Sequence, residues 1–350
     1  MRKQSVTTVC LPVVGLLILL QAVTIAASPP GIPDGWSDGY VYANGIRLHY
    51  YHAVPAPGKP VIVMVHGVTD NGLCWTTLTW KLQKDYDIYM LDTRGHGLSD
   101  PFTTADDSDT LIKDVVEAVH ALGFEEPILM GHSMGAATVM RIGAEYPDLA
   151  KAVIMLDPGL PRSGGGGRRT GAPGTAERGG RRMGTSGTAE SRGRRMTAPS
   201  AEARDSQRAS APQRLSFSMF GDPETLVAQN NYSFEDLVAK GRRDNPKWDE
   251  ADVLYWALSK KQYHGAYSGE MFSVMSGAMN TGDSLSKIPV PSLILKADTS
   301  PEGREANQQA VSGMSKVKLV HIDGAAHNLH HDELERTVSE LTEFLSTLSE

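Results

Sequence analysis

The sequence predicts an α/β fold in which a mainly parallel central sheet is covered by helices on both faces. Short apolar runs rich in β-branched residues alternate along the chain with stretches whose apolar residues recur at helical spacing. The composition, 40% hydrophobic and 21% charged, excludes a collagen, a coiled coil and a wholly disordered chain. Two unusual segments can be set aside, and the roughly 270 residues that remain suit a single α/β domain.

The first unusual segment, residues 1–28, has the layout of a secretory signal peptide. Arg2 and Lys3 precede an apolar stretch that ends in small residues before Pro29. We therefore predict cleavage, secretion and no stable association with a membrane. The alternative is an uncleaved membrane anchor, because the stretch approaches the roughly 20 residues that a spanning helix needs. Cleavage would leave Cys74 as the only thiol, so no intramolecular disulfide is expected.

The second unusual segment, residues 163–212, is rich in Arg and Gly and contains no Val, Ile, Leu or aromatic residue. It cannot bury enough apolar surface to order itself, so a disordered insertion is predicted. A ten-residue unit that begins at Gly174 recurs at Gly187, which indicates a local duplication or a translated non-coding stretch. The segment lacks aromatic residues between its basic ones, and the whole chain has a formal net charge of −7. Nucleic acid is therefore not an expected partner.

The remaining elements follow in order from residue 40. A hairpin is expected at 40–52, where Asn44-Gly45 supplies the turn. The predicted α/β core has two parts, residues 29–162 and 287–350. Their further predicted strands are 61–65, 88–91, 128–130, 152–156, 292–295 and 317–322, and their predicted helices include 110–122 and 334–348.

Residues 213–286 interrupt this alternation with helical patches at 234–240, 250–263 and 270–279. They predict a helical cap inserted after the sixth strand of the sheet. Its large side chains either pack the cap onto the core or line an apolar substrate cavity, which would suit a small apolar ester or lactone. A sequon at Asn231 could carry a glycan in a secreted eukaryotic protein. The large side chains are Trp248, Tyr255, Trp256, Tyr263, Tyr267, Met271, Phe272, Met275 and Met279.

A Gly-x-Ser-x-Gly motif at 131–135, with Ser133 at its centre, is the strongest chemical signal in the sequence. It follows the predicted strand 128–130 and precedes a stretch of good helix formers. In this context a tight turn lifts the serine hydroxyl clear of the sheet, and the residues on either side must be small. Ser133 is therefore predicted to be a nucleophile.

A serine hydroxyl is a weak nucleophile at neutral pH and needs a neighbouring base. His327 is the favoured candidate, because it follows strand 317–322 through a loop that can carry it to the carboxyl edge of the sheet. His330 and His331 are rivals, but they lie nearer the last helix and are expected to face solvent. These histidines and Asp332 also have the helical spacing of metal ligands; without a matching distant ligand, no metal is predicted.

The base needs a carboxylate that fixes its tautomer. Asp298 follows strand 292–295, and Asp157 follows strand 152–156. Both would emerge at the same edge of the sheet, so spacing alone leaves the choice open. We favour Asp298, because the chain order Ser, Asp, His with a late acid is the usual one for this motif, and keep Asp157 as the alternative acid.

The oxyanion of an acyl-transfer reaction needs preorganised hydrogen-bond donors. The backbone N–H of Met134 is one candidate. The other is the N–H of Val68, because Gly67 allows the sharp turn that would aim it inward. His66 is expected to hold this loop by hydrogen bonding.

These motifs together resemble the α/β-hydrolase superfamily, in its capped, cofactor-free serine branch. The resemblance extends from residue 40 to the C terminus apart from 163–212. The matching residues are His66-Gly67 with Asp70 and Trp75, and the stretches 92–100, 131–135, 296–298 and 324–327.

The resemblance implies a triad of Ser133, Asp298 and His327, with an oxyanion hole formed by Val68 and Met134. Members that open epoxides carry an aspartate in place of the serine, so that activity is not expected. We predict a serine hydrolase that cleaves an ester or lactone without a cofactor. Carbon–carbon bond hydrolysis by the same residues and a slow-turnover ligand receptor are the alternatives; the sequence gives no indication of oligomeric state.

Overall fold

The computed structural model describes residues 28–160, 228–265 and 269–348. Almost all of the predicted signal peptide, the whole of the region 161–227 and Tyr267 therefore lie outside the described residues. The Arg/Gly-rich insertion at 163–212 and the start of the predicted cap at 213–227 fall in that region, and both stay predictions.

Eight strands form one sheet, in the order β1-β2-β4-β3-β5-β6-β7-β8. The first two strands pair with each other in antiparallel fashion, β2 is antiparallel to β4, and every other neighbouring pair is parallel. The predicted mainly parallel sheet is thus confirmed. The strands are β1 Ser37–Ala43, β2 Ile46–His52, β3 Val61–Val65, β4 Asp87–Leu91, β5 Ile128–His132, β6 Ala152–Leu156, β7 Ser292–Ala297 and β8 Val317–Ile322.

The hairpin between β1 and β2 has the predicted turn. Asn44 and Gly45 both adopt positive φ angles, of 45° and 78°. Two successive positive φ angles are typical of the turn that matches the twist of a two-residue hairpin, and Asn and Gly are the residues that tolerate them best.

The central strands are apolar throughout because both of their faces are covered. In β3, Val63 and Val65 point into one hydrophobic cluster, whereas Ile62 and Met64 point into the other. This alternation follows from the two-residue period of a strand. A strand that is buried on both sides therefore appears in the sequence as a continuous apolar run.

Helices cover both faces of the sheet, as predicted. Helices α2 and α3 contribute to the first cluster, and α1 and α9 contribute to the second. The helices in chain order are α1 Thr76–Leu82, α2 Thr110–Ala121, α3 Met134–Glu145, α4 Phe234–Asp244, α5 Glu250–Gln262, α6 Gly269–Ala278, α7 Pro301–Ala310, α8 Leu329–Asp332 and α9 Leu334–Ser346.

Helices α4, α5 and α6 lie between β6 and β7 in the chain, where the sequence predicted helical patches. Local capping explains where α4 and α5 begin. The Ser233 hydroxyl accepts a hydrogen bond from the Asp236 amide, and the Asp249 carboxylate accepts one from the Ala251 amide. Helix α4 packs on α5, and α5 also packs against α1 and the short 3-10 turn Gly72–Trp75.

Most of the large side chains of this helical region pack against the core. Tyr263, Phe272 and Met275 join the first cluster, Tyr255 joins the second, and Trp248 packs within a small cluster of α4 and α5. Their concentration in the sequence therefore reflects packing more than a ligand cavity. Among the described residues, no helix combines the length and the apolar character needed to cross a bilayer.

Candidate active site

The turn between β5 and α3 has the sterically tight geometry that its sequence predicts. Ser133 lies between the last residue of β5 and the first of α3, with φ 53° and ψ −109°. A Cβ atom at Gly131 would lie 2.2 Å from the carbonyl oxygen of Gly135. One at Gly135 would lie 2.0 Å from the carbonyl oxygen of Val65. No side chain fits at either position, so both glycines are needed to hold the serine in place.

The side chain of Ser133 is hydrogen-bonded to His327. The serine Oγ lies 2.9 Å from His327 Nε2, and His327 Nδ1 lies 2.6 Å from Asp157 Oδ2. With Nδ1 protonated, the imidazole donates to the carboxylate and Nε2 accepts from the hydroxyl. These three side chains thus have the order nucleophile, base and carboxylate that serine-dependent acyl transfer requires.

The expectation that Asp298 pairs with His327 was wrong, and the alternative acid Asp157 takes that position. In the sheet, β6 lies directly beside β5, so the residue that follows β6 is close to Ser133. Asp298 follows β7, one strand further away. Its carboxylate accepts hydrogen bonds from Arg304 at 2.5 Å and from the Gly324 amide at 3.0 Å, and its own amide donates to Ala325 O. Asp298 therefore fastens the loop that carries His327.

Asp157 is held in place and kept ionised by its neighbours. Lys296 Nζ lies 2.5 Å from Asp157 Oδ1, and the Ala297 amide donates to the same oxygen. Burial alone would raise the pKa of this carboxyl group. The hydrogen bond from His327 and the charge of Lys296 outweigh burial and lower the pKa well below its usual range. Asp157 is thus a fixed anion, as the partner of a base must be.

The two rival histidines are buried, contrary to the expectation that they face solvent. His330 and His331 retain only 2% and 6% of their accessible surface. His330 packs against Trp75 and His132, and His331 lies 3.1 Å from Asp252. Neither ring is at the serine. Within the described ranges, no three His, Cys, Asp or Glu side chains come together as metal ligands would.

His132, which directly precedes Ser133 in the motif, supports the loop that carries His327. Its Nε2 donates a hydrogen bond to the carbonyl oxygen of His327 at 3.0 Å. Burial and the neighbouring His327 lower the pKa of His132 to about 3, so this ring is neutral at physiological pH. It acts as a neutral donor that anchors the backbone at His327.

The turn at Ser133 and the loop after β3 are joined by their backbones. The Gly135 amide donates to the His66 carbonyl at 3.1 Å. His66 in turn accepts from the Thr93 amide through Nε2 and donates to the Gly67 carbonyl through Nδ1, as expected of a residue that holds the loop. These bonds bring the segment of Val68 beside the start of α3. The roles of the Val68 and Met134 amides as oxyanion donors remain a proposal.

A cavity of about 300 Å³ opens above Ser133 and His327. Trp256 lines it, but so do Asp70, Lys240 and Lys260. The expected apolar substrate cavity is therefore corrected to one whose lining, in the described part of the chain, combines apolar and charged groups. The other lining residues are Gly67, Val68, Thr69, His132, Gln229 and Asn328.

Sequence reasoning missed Lys260. This residue lies on α5 and is 3% exposed, and its ammonium group bonds to the loop after β3, some 190 positions away in the chain. No local pattern distinguishes it from its neighbour Lys261, which is exposed. Only the packing of α5 on the core shows which of the two points inward.

Comparisons with known proteins support the same interpretation. Among curated proteins, the N-formylmaleamate deformylase of Pseudomonas putida is 36% identical over 132 residues, which is 37% of this chain and 47% of that protein. The 2-(acetamidomethylene)succinate hydrolase of Mesorhizobium japonicum is 33% identical over 98 residues, which is 28% of this chain and 35% of that protein. Epoxide hydrolase 1 of Caenorhabditis elegans is 26% identical over 137 residues, which is 39% of this chain and 33% of that protein. The matches thus span less than half the length of these relatives.

Solved structures with low sequence identity have the same fold. The structure of E-2-(acetamidomethylene)succinate hydrolase aligns with 89% of this chain over 99% of its own length, at a TM-score of 0.60 and 18% sequence identity. Est816, described as an N-acyl homoserine lactone degrading enzyme, aligns with 87% of this chain over its entire length, at a TM-score of 0.56 and 17% sequence identity. The model of the Alpha/beta hydrolase family matches residues 62–340, which is most of the sequence and includes Ser133, Asp157 and His327. The chain therefore belongs to the alpha/beta hydrolase family.

Proposed function

We propose that this protein is a serine hydrolase that cleaves an acyl bond, an ester, lactone or amide, of a small molecule. The observation that carries the proposal is the continuous hydrogen-bonded path from Ser133 through His327 to Asp157 at the floor of a cavity. A serine so placed attacks carbonyl carbon. Two relatives named for hydrolysis of an acetamidomethylene compound and for a deformylation support this choice.

In the proposed reaction, Ser133 Oγ attacks the carbonyl carbon and its proton passes to His327 Nε2. The oxyanion accepts hydrogen bonds from the Val68 and Met134 amides, and Asp157 stabilises the imidazolium. His327 then protonates the leaving alcohol or amine as the acyl–oxygen or acyl–nitrogen bond breaks. Water enters, loses a proton to His327 and releases the acid from Ser133, which recovers its hydrogen.

The nucleophile and the cavity restrict the substrate class. Several relatives are named epoxide hydrolases, but the family members that open epoxides use an aspartate where this chain has Ser133, which supports acyl transfer here. Lys260 is already paired with Asp70, so the half-exposed Lys240, whose partner Asp244 is also at the surface, is the lining cation, among the described residues, left to meet a carboxylate on the acyl group. A carboxylate on the substrate would be attracted by Lys240.

The test is steady-state hydrolysis of p-nitrophenyl acetate, butyrate and monosuccinate by the wild type and by Ser133→Ala. We expect the wild type to hydrolyse these esters, with a higher kcat/KM for monosuccinate than for butyrate. Ser133→Ala should lower kcat by at least 10³-fold, because removal of the nucleophile leaves only the rate supported by binding and the oxyanion donors.

The matched control is Ser346→Ala, which removes an exposed hydroxyl on α9 and should leave the rate unchanged. Wild-type rates in Ser133→Ala would overturn the proposal. A wild type that binds these esters but does not hydrolyse them would favour carbon–carbon bond hydrolysis or a ligand receptor.

A further inference from the structure

Lys260 connects helix α5 to the loop that follows β3. Its Nζ lies 3.0 Å from the carbonyl oxygen of Thr69, 2.9 Å from Thr69 Oγ1 and 2.9 Å from Asp70 Oδ1. An ammonium group has three hydrogens, so these three acceptors satisfy it fully. The side chain is 4% exposed, and the ring of Trp256 lies 5.1 Å from Nζ. This buried cation is therefore bonded to a segment of two consecutive residues, Thr69 and Asp70, through one backbone oxygen and two side-chain oxygens.

That segment has a strained conformation. Thr69 adopts φ 65°, in the left-handed region that a β-branched residue rarely enters. Such a conformation persists only where the surroundings determine it. Lys260 binds both the carbonyl and the hydroxyl of Thr69, so it fixes this residue from two sides. The residue before Thr69 is Val68, whose amide is the proposed oxyanion donor.

Asp70 couples the same cation to the turn at Ser133. A Cβ atom at Gly67 would lie 2.9 Å from His132 Nδ1 and 3.1 Å from Asp70 Oδ2, so these two side chains enclose Gly67 closely. Lys260 thus acts on a tightly packed unit that comprises the loop after β3 and the residue before Ser133. A second bond from the same helix, Asn71 Nδ2 to Gln262 Oε1 at 2.8 Å, supports the attachment.

We propose that Lys260 is a positioning residue that clamps the loop 67–70 and so holds the Val68 amide where the oxyanion develops. The inference rests on the proposed function, because it concerns the same transition state. It assigns to α5 a part in the chemistry, although no atom of that helix is the nucleophile or the base. Misplacement of a catalytic group by about 1 Å can reduce a rate about 100-fold.

The test compares Lys260→Met with Lys261→Met. The first substitution removes the ammonium group at similar length. The second makes the same change at the adjacent, exposed position, where the lysine donates to the carbonyl oxygens of Asn230 and Tyr232. Active sites are titrated with a fluorophosphonate, so that kcat refers to functional protein. We expect Lys260→Met to lower kcat about 10- to 100-fold with KM within about threefold of wild type, and Lys261→Met to match wild type.

The double variant Asp70→Asn/Lys260→Met separates positioning from folding, and it carries the test if Lys260→Met does not fold. It removes the carboxylate that Lys260→Met leaves unpaired, so it should recover thermal stability but keep the low kcat. Recovery of kcat together with stability would overturn the proposal. A kcat per titrated site in Lys260→Met equal to that of Lys261→Met would overturn it as well.

The clamp and the proposed function fail in distinguishable ways. If Ser133→Ala loses hydrolysis but Lys260→Met keeps the wild-type kcat, the positioning role of Lys260 is refuted and the serine mechanism stands. Wild-type hydrolysis in Ser133→Ala would refute both the serine mechanism and the positioning role of Lys260.

Discussion

At the scale of single residues, the choice between two aspartates depends on which strands are neighbours. Asp157 and Asp298 both follow strands of the parallel sheet at the same edge. Because β6 is beside β5, Asp157 reaches His327, whereas Asp298 is engaged by Arg304 and by the loop of the base. Spacing along the chain does not contain this information. The nucleophile, by contrast, follows from local sterics at Gly131 and Gly135.

The two aspartates should therefore differ in their effect on catalysis. Asp157→Asn is expected to lower kcat about 10⁴-fold, because an amide cannot hold the imidazole in the required tautomer or stabilise its charged form. Asp298→Asn keeps one acceptor oxygen and leaves the backbone bond from its amide to Ala325 O in place, so the loop of His327 stays attached and kcat should stay within about threefold of wild type. Steady-state kinetics on one ester measures both. A large loss in Asp298→Asn with little loss in Asp157→Asn would contradict the assignment.

At the scale of elements, the sequence predicted the helices and strands more accurately than it predicted their contacts. Helices were expected at 110–122 and 334–348, and the structure has Thr110–Ala121 and Leu334–Ser346. These boundaries depend on local periodicity. The charged part of the cavity lining depends instead on which face of α5 packs inward, and Lys260 meets Thr69 only in the folded chain. A contact between residues so far apart in the chain cannot be predicted from a local sequence pattern.

The Lys260–Asp70 pair should make stability depend on pH. Burial would raise the pKa of Asp70, but the charge of Lys260 outweighs burial and lowers that pKa below its usual range. In the wild type, Asp70 thus stabilises the fold above its unfolded pKa of about 3.9, and this contribution is lost as pH falls through the lower folded pKa. In Lys260→Met only burial and weaker charges remain, so ionised Asp70 destabilises the fold until acid protonates it.

Urea unfolding at pH 7 and pH 4.5 measures this difference. Lys260→Met should be less stable than wild type by about 3–5 kcal/mol at pH 7, as for a buried pair that loses one partner. This difference in the free energy of unfolding should narrow at pH 4.5, where the unpaired Asp70 carboxyl group takes up a proton. Lys261→Met serves as the control without such a trend. A gap of the same size at both pH values would contradict the account of Asp70.

At the scale of the whole molecule, the fold could be predicted because each strand and helix carries its own pattern and the motifs occur in a fixed order. The family match over residues 62–340 and the eight-stranded sheet confirm that prediction. Secretion, glycosylation at Asn231 and the disordered insertion at 163–212 stay predictions. The part played by α4, α5 and α6 as a cap also stays a prediction, although Trp256 and Lys260 of α5 line the cavity.

The central claim is that Ser133 is an activated nucleophile, and covalent labelling tests it most directly. The measurement is the intact mass of the wild type and of Ser133→Ala after incubation with a fluorophosphonate, which transfers its phosphonyl group to an activated serine oxygen and releases fluoride. The account predicts one phosphonyl adduct per wild-type chain and none on Ser133→Ala. An unlabelled wild type, or the same adduct on Ser133→Ala, would contradict it.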